Sequence, residues 1–442
     1  MQNRKRRLSS SQIIILGFAA TILFGSLLLM LPISSRSHQV TPFSDALFTS
    51  TSAVCVTGLI VHDTATYWST FGQAVILALI QIGGMGIITM AVALALLSGR
   101  RITLKQRSTM QEAISAHRVG GIVRLTGFII RMTIIFELVG AAVMAPTFCK
   151  EFGMMKGLWY SIFHSISAFC NAGFDLMGVQ TPYSSLTYFV SHPAINLAIM
   201  SLIVIGGLGF LTWEDIATNG FHFKRYRMQS KIILVTTALL ILFPALYFFF
   251  FEFSDVPLAE RIWSSLFQSV TPRTAGFNTV DLTRISECGI FIMIILMQIG
   301  GSPGSTAGGM KTTTFAVMLS TAVSVFRRRE HTHFFKRRIE NDIIRNAATI
   351  CTMYVVLFVV GGLIISRVEN LPLLTCLFET ASAVGTVGLS LGITPGLCGI
   401  SRAILIILMY LGRVGGLTLI FATLAGNQGH TARLPEEKLT VG

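Results

Sequence analysis

The sequence predicts an all-α polytopic membrane protein: four pseudo-repeated units of span, pore loop and span, giving eight spans around one central pore. Three observations predict it. First, 52% of the 442 residues are hydrophobic and only 12% are charged, about half the charged share of a soluble domain. Second, apolar runs long enough to cross a bilayer recur at 12–32, 72–98, 122–148, 187–213, 231–253, 288–299 continuing into 313–326, 345–366 and 400–425. Third, one short motif occurs four times between those runs. It is a Phe, a Ser/Thr-rich stretch and a Gly, spanning Phe48–Gly58, Phe163–Gly173, Phe267–Gly276 and Phe378–Gly388.

The elements follow in chain order. A cytosolic N-terminus is expected at 1–11 and the first pore unit at 12–98. A cytosolic loop and the second unit occupy 99–213, and a loop and the third unit occupy 214–326. The fourth unit with its loop covers 327–425, and 426–442 is a cytosolic tail. Each motif opens on a short apolar stretch suited to a half-helix, at 43–54, 158–169, 261–270 and 371–382. Non-helical backbone at membrane depth survives only against protein or a water-filled cavity, so four such loops must meet.

The second spans carry a glycine motif of their own. Gly83–Thr89, Gly206–Thr212 and Gly412–Thr418 align, and these glycines read as close-packing positions between helices. The third copy differs. Gly300, Gly301, Ser302, Pro303, Gly304, Ser305, Thr306, Ala307, Gly308 and Gly309, followed by Lys311, are incompatible with a straight helix. A break at membrane depth beneath the motif loops reads as a gate. Arg413 stands where the other copies have Gly84, Gly207 and Gly301, in a nearly uncharged stretch. An arginine there is expected to face an aqueous path or a partner.

The net charge of +14 does not point to nucleic acid. The basic residues lie in alternate loops: Arg4 to Arg7, then Arg100 to Arg124, Lys224 to Lys231 and Arg327 to Arg338. The positive-inside rule makes that side cytoplasmic, with both termini inside and the motif loops outside. The first apolar run is too long for a signal peptide and no small-residue cleavage site follows it. Seven cysteines without a CxxC pair read as packing residues.

The motif has a chemistry. A dehydrated cation needs a cage of oxygens, which extended strands supply by turning backbone carbonyls inward. Glycine tolerates the backbone angles this requires. The candidate filter is Val56, Thr57 and Gly58; Asn171, Ala172 and Gly173; Thr274, Ala275 and Gly276; Thr386, Val387 and Gly388.

These loops, with the Leu411–Thr418 segment, resemble those of the Trk/Ktr/HKT superfamily of potassium transporters over about residues 12–425, closest to the membrane subunits of Ktr uptake systems. The chain begins at the first unit, where TrkH-type members carry additional spans. The resemblance implies a plasma-membrane subunit that moves K+ and binds no cofactor of its own, with Gly58 at the first filter position favouring potassium over sodium. It also implies a homodimer with one pore per protomer, resting on a cytosolic ring of nucleotide-binding regulatory (KtrA-type) subunits. The glycine-rich segment becomes the intramembrane gate and Arg413 the pore arginine. No Rossmann fingerprint occurs, so the regulator is a separate chain.

Three other readings compete with this one. Gly304–Thr312 imitates a P-loop, but Met310 separates Gly309 from Lys311 where the fingerprint needs Gly-Lys. An intramembrane hydrolase would use His164 with Ser161 or Ser165, yet the repeats place His164 in a pore helix, at the position held by Thr49, Gln268 and Glu379 in the other copies. A sodium-conducting member of the superfamily, or a symporter with Na+ as coupling or activating ion, stays open.

Overall fold

The computed structural model describes residues 9–97, 104–113 and 121–416. The basic segment before Ser9, the expected end of the last span after Gly416 and the 426–442 tail lie outside these residues.

Among the described residues four helices are long and apolar enough to cross a membrane: α1 (Ser10–Met30), α7 (Ile122–Phe152), α11 (Met228–Tyr247, continued by a π turn to Glu252) and α15 (Asn341–Glu369). Each opens one unit, and each carries large exposed apolar side chains, such as Phe24 on α1 and Leu138 on α7. Such faces suit hydrocarbon rather than water. The chain is thus an integral membrane protein.

In the first unit, α1 is followed by α2 (Phe43–Val54), the short α3 (Thr64–Tyr67), α4 (Thr70–Met85), α5 (Ile87–Leu97) and α6 (Leu104–Ala113). The second adds α8 (Met154–Phe169), α9 (Pro193–Leu208) and α10 (Phe210–Asn219) to α7. The third adds α12 (Leu258–Val270), α13 (Glu287–Gln298) and α14 (Thr312–Phe326) to α11. A hairpin, β1 (His333–Phe334) and β2 (Arg337–Arg338), is the departure from all-helical structure among the described residues. The fourth unit is α15, α16 (Leu373–Gly385) and α17 (Gly399–Val414).

The short helices α2, α8, α12 and α16 each pack on the long helix before them. In three units a hydroxyl two residues after the motif Phe reaches back to that helix. Ser50 donates to the Ile22 carbonyl at 2.7 Å, Ser165 to Glu137 at 2.6 Å and Thr380 to Phe358 at 2.9 Å. A buried hydroxyl must find an acceptor, and here it fixes the depth of the short helix against its neighbour.

One expectation needs correction. The runs 72–98 and 187–213 do not form straight spans. Gly86 has φ +84° and Gly209 φ +91°, and α4 meets α5 at 98° while α9 meets α10 at 97°. The fourth copy ends α17 in the same way, at Gly415 with φ +86°. Glycine reaches this region without the steric cost of a Cβ, and one such residue turns the chain out of the helix. The first glycine of each of these copies does pack closely. A Cβ on Gly83, Gly206 or Gly412 would run into the Val54, Phe169 or Val384 carbonyl at the end of a short helix. The motif therefore combines a packing glycine with a bending one.

Candidate functional site

The four motif loops converge. Val56, Asn171, Thr274 and Thr386 all have positive φ, between 51° and 71°, and the four motif glycines have φ between 69° and 92°. Such angles are costly for ordinary residues and recur here at matched positions. The glycines lie in a closed cyclic order. A Cβ on Gly58 would strike the Ala172 carbonyl oxygen, one on Gly173 that of Ala275, one on Gly276 that of Val387, and one on Gly388 that of Thr57. Each glycine thus abuts the carbonyl of the next unit, and the fourth returns to the first. The remaining residues of the four triplets belong to the same buried ring.

The loops are braced by groups that sequence reasoning did not single out. Four residues after each motif Phe stands a hydroxyl: Ser52, Ser167, Thr271 and Ser382. The carbonyls of these residues accept from Thr57, Ala172, Ala275 and Val387 N–H at 2.8, 2.8, 3.0 and 2.8 Å. Their side chains hold the strand as well. Ser52 and Ser382 each accept from the following glycine N–H at 3.0 Å, while Ser167 and Thr271 donate to the Phe174 and Phe277 carbonyls at 2.7 and 2.6 Å. Their fixed offset from the motif Phe was the available signal. Between units, Thr274 and Asn171 side chains meet at 3.2 Å; with the amide oriented to donate to Ile203 and Ala168, the Thr274 hydroxyl donates to Asn171 Oδ1.

His164 stands in α8 among aromatic rings; one ring nitrogen meets the Tyr160 carbonyl at 2.7 Å and the other accepts from Leu176 N–H at 3.3 Å. Both nitrogens are committed to backbone, so His164 braces the segment beyond the loop. Glu379 does the same in the fourth unit by accepting from the Thr394 hydroxyl.

Residues 300–311 form a loop between α13 and α14. Its ends pair, with Gly300 N–H donating to the Met310 carbonyl at 2.8 Å and Thr312 N–H to Gly301 at 3.0 Å. Its body is sewn to the bend in the second unit. Ser302 N–H donates to the Gly207 carbonyl at 2.9 Å, Thr306 N–H to Gly206 at 3.2 Å, and Phe210 N–H to Gly304 at 2.7 Å. Pro303 offers its carbonyl to the face of Gly209. The Ser305 hydroxyl donates to the Ser302 carbonyl at 2.6 Å, and the Thr306 hydroxyl to Phe169 at 2.9 Å. On the other side, Gly309 N–H donates to the Gly412 carbonyl at 3.2 Å, and Gly308 lies against the Thr386 side chain. Lys311 folds back, donating from Nζ to the Ala307 carbonyl at 2.9 Å. The loop therefore lies directly against the fourth motif loop.

Arg413 reaches across to this loop. It donates to the carbonyls of Thr306, Gly83 and, at 3.0 Å, Gly84. It thereby joins the loop of the third unit to the bend of the first. A planar guanidinium serves three carbonyls in fixed directions, which a lysine does not. A cavity of about 480 Å³ borders the loop, lined by Lys311, Arg413, Gly84, Gly304 and Gly309, with Phe18 of α1 and Tyr354 of α15. None of the twelve filter candidates lines it. Among the described residues no cluster of three metal-binding side chains occurs.

Long apolar helices, and four short helices whose following loops meet in one buried ring, define the class: a helical membrane protein. The TrkH family, described as cation transport protein, matches residues 5–429, and the chain belongs to that family, whose members are transporters and not enzymes. It is 38% identical over 450 residues to the potassium/sodium uptake protein NtpJ of Enterococcus hirae, covering 99% of this chain and 98% of that one. It is also 38% identical over 444 residues to the Ktr system potassium uptake protein B of Bacillus subtilis, covering 99% and 97%. The crystal structure of the potassium transporter TrkH from Vibrio parahaemolyticus shares the fold, with a TM-score of 0.75, 21% identity and coverage of 95% of this chain and 86% of that one.

Proposed function

We propose that this chain is the ion-translocating subunit of a potassium uptake system of the plasma membrane. In this reading K+ sheds water and is held by the carbonyls of Val56–Gly58, Asn171–Gly173, Thr274–Gly276 and Thr386–Gly388. The loop 300–311, with Arg413, obstructs the path below. The observation that carries the reading is the cyclic contact of each motif glycine with the next unit's carbonyl. Carbonyls presented by four strained strands are the ligand set a dehydrated cation needs. The hydroxyl braces at Ser52, Ser167, Thr271 and Ser382 add preorganisation.

The charge distribution supports cytoplasmic termini and outward motif loops. The Bacillus subtilis relative is named as part of a Ktr system, which supports partnership of this chain with other components of such a system; in this reading those are a second copy of the chain and a separate nucleotide-binding ring of KtrA type. A second reading, sodium conduction or Na+-coupled K+ symport, is favoured by the potassium/sodium uptake protein of Enterococcus hirae. The deciding experiment is cation flux into proteoliposomes with potassium and sodium varied independently. Potassium uptake without sodium supports the first reading. Uptake that requires sodium on the same side supports symport, and sodium flux without potassium preference overturns the filter assignment.

A further inference from the structure

The third motif loop is held differently from its sisters. It is one residue shorter, with 9 residues from Phe267 to Gly276 against 10 elsewhere. Its Ser269 does not reach α11 but donates within its own helix, to Leu266 at 2.8 Å. Gln268, at the position where His164 and Glu379 brace their loops, is fully buried with both amide atoms unpartnered. The Gly276 N–H donates to the Thr271 carbonyl at 3.5 Å. In its anchoring to the long helix before it the third loop has the weakest backing of the four, since the hydroxyl bond of its three sisters is missing there.

Arg273 stands just before this strand, three residues ahead of the glycine. The sisters carry Cys55, Cys170 and Gly385 there. Arg273 is buried, 6% exposed, and among the described residues no carboxylate pairs with it. Its Nη2 donates to the Thr237 hydroxyl on α11 at 3.4 Å, and its Nε has no partner. A buried guanidinium without a counter-charge is costly, and a small residue fills the same place in three units. What the arginine adds is reach: its fork spans from the base of the strand to the helix that Ser269 fails to contact.

We propose that Arg273, acting through Thr237, is the positioning residue that ties the third filter strand to α11 and sharpens discrimination between potassium and sodium. The strand is then fixed on two sides, by Thr274 against Asn171 of the second unit and by Arg273 against its own first span. Removing the rear tie lets the Thr274 and Ala275 carbonyls relax toward a smaller ion. The proposal rests on the filter reading above.

The test measures potassium and sodium uptake by the purified full chain in proteoliposomes. The variants are Arg273→Gln, Arg273→Lys, Thr237→Val and the double variant Arg273→Gln/Thr237→Val. Thr237→Val keeps the shape and the arginine but removes the acceptor, so it tests the tie even where Arg273→Gln fails to fold. The expected result is a loss of potassium preference of about threefold to tenfold in Thr237→Val and Arg273→Gln, with the double variant no worse than either. Arg273→Lys should recover part of it. A silent Thr237→Val, or additive losses in the double variant, overturns the proposal, because the arginine would then act by its charge alone. Gly276→Ser is the control for the filter itself. If it alters the preference while Thr237→Val does not, the tie fails and the filter stands. If neither alters it, the filter assignment fails too.

Discussion

Replacing Gly58 by serine tests the filter at its most constrained point. Gly58 has φ +92°, and its missing Cβ faces the Ala172 carbonyl oxygen, with Gly173 Cα 3.2 Å away. Two costs separate. The first is conformational: a side chain held in the left-handed region costs about 1–2 kcal/mol. The second is displacement, since the atoms in the way are backbone and have no flexible end to swing aside. If strain of this size is relieved by moving the Ala172 carbonyl, potassium preference should fall by about 5- to 30-fold. Gly153→Ala isolates the first cost. Gly153 has φ +81° between α7 and α8, and a Cβ there meets nothing within 4 Å. It should lower thermal stability by a similar conformational amount and leave ion preference untouched. The assay is uptake of potassium against sodium into proteoliposomes, alongside thermal unfolding of both variants. The reasoning is refuted if Gly58→Ser keeps wild-type preference, or if Gly153→Ala loses as much.

Three further outcomes are expected. Arg413→Gln and Arg413→Lys should both conduct faster than wild type, because three carbonyls in different directions need the guanidinium fork; a lysine variant with wild-type flux would show that charge alone closes the path. Deleting Ser302–Gly308 removes the bonds to Gly206, Gly207 and Phe210 and should raise flux with little change in ion preference; a folded deletion that conducts no faster excludes the loop as gate. Ser52→Ala strips the Gly58 N–H of a buried partner at 3.0 Å, and should cost about 1–3 kcal/mol, seen as a lowered midpoint in thermal unfolding together with weaker discrimination.

The sequence by itself determined the membrane character and the places of the four short helices. A bilayer demands long apolar runs, and those runs are visible without any structure. The stretch 43–54 is α2 to the residue, and the other three short helices begin or end within four residues of their apolar stretches. The motif glycines were legible because few other residues tolerate their backbone angles. The break after α13 was legible because five glycines and a proline rule out a helix there. The bends at Gly86 and Gly209 were not. A glycine in an apolar run serves equally as a packing contact or as a hinge, and the two differ only in a φ angle that neighbouring chains impose. Arg413 announced itself as a buried charge, but its acceptors are carbonyls, which every residue has, so no pattern of side chains could name them. Arg273 was hidden for a related reason: its importance lies in bonds that Ser269 and Gln268 do not make. The cyclic order of the four loops likewise belongs to the tertiary structure, because equal spacing along a chain does not say which loop lies beside which until the helices between them are packed.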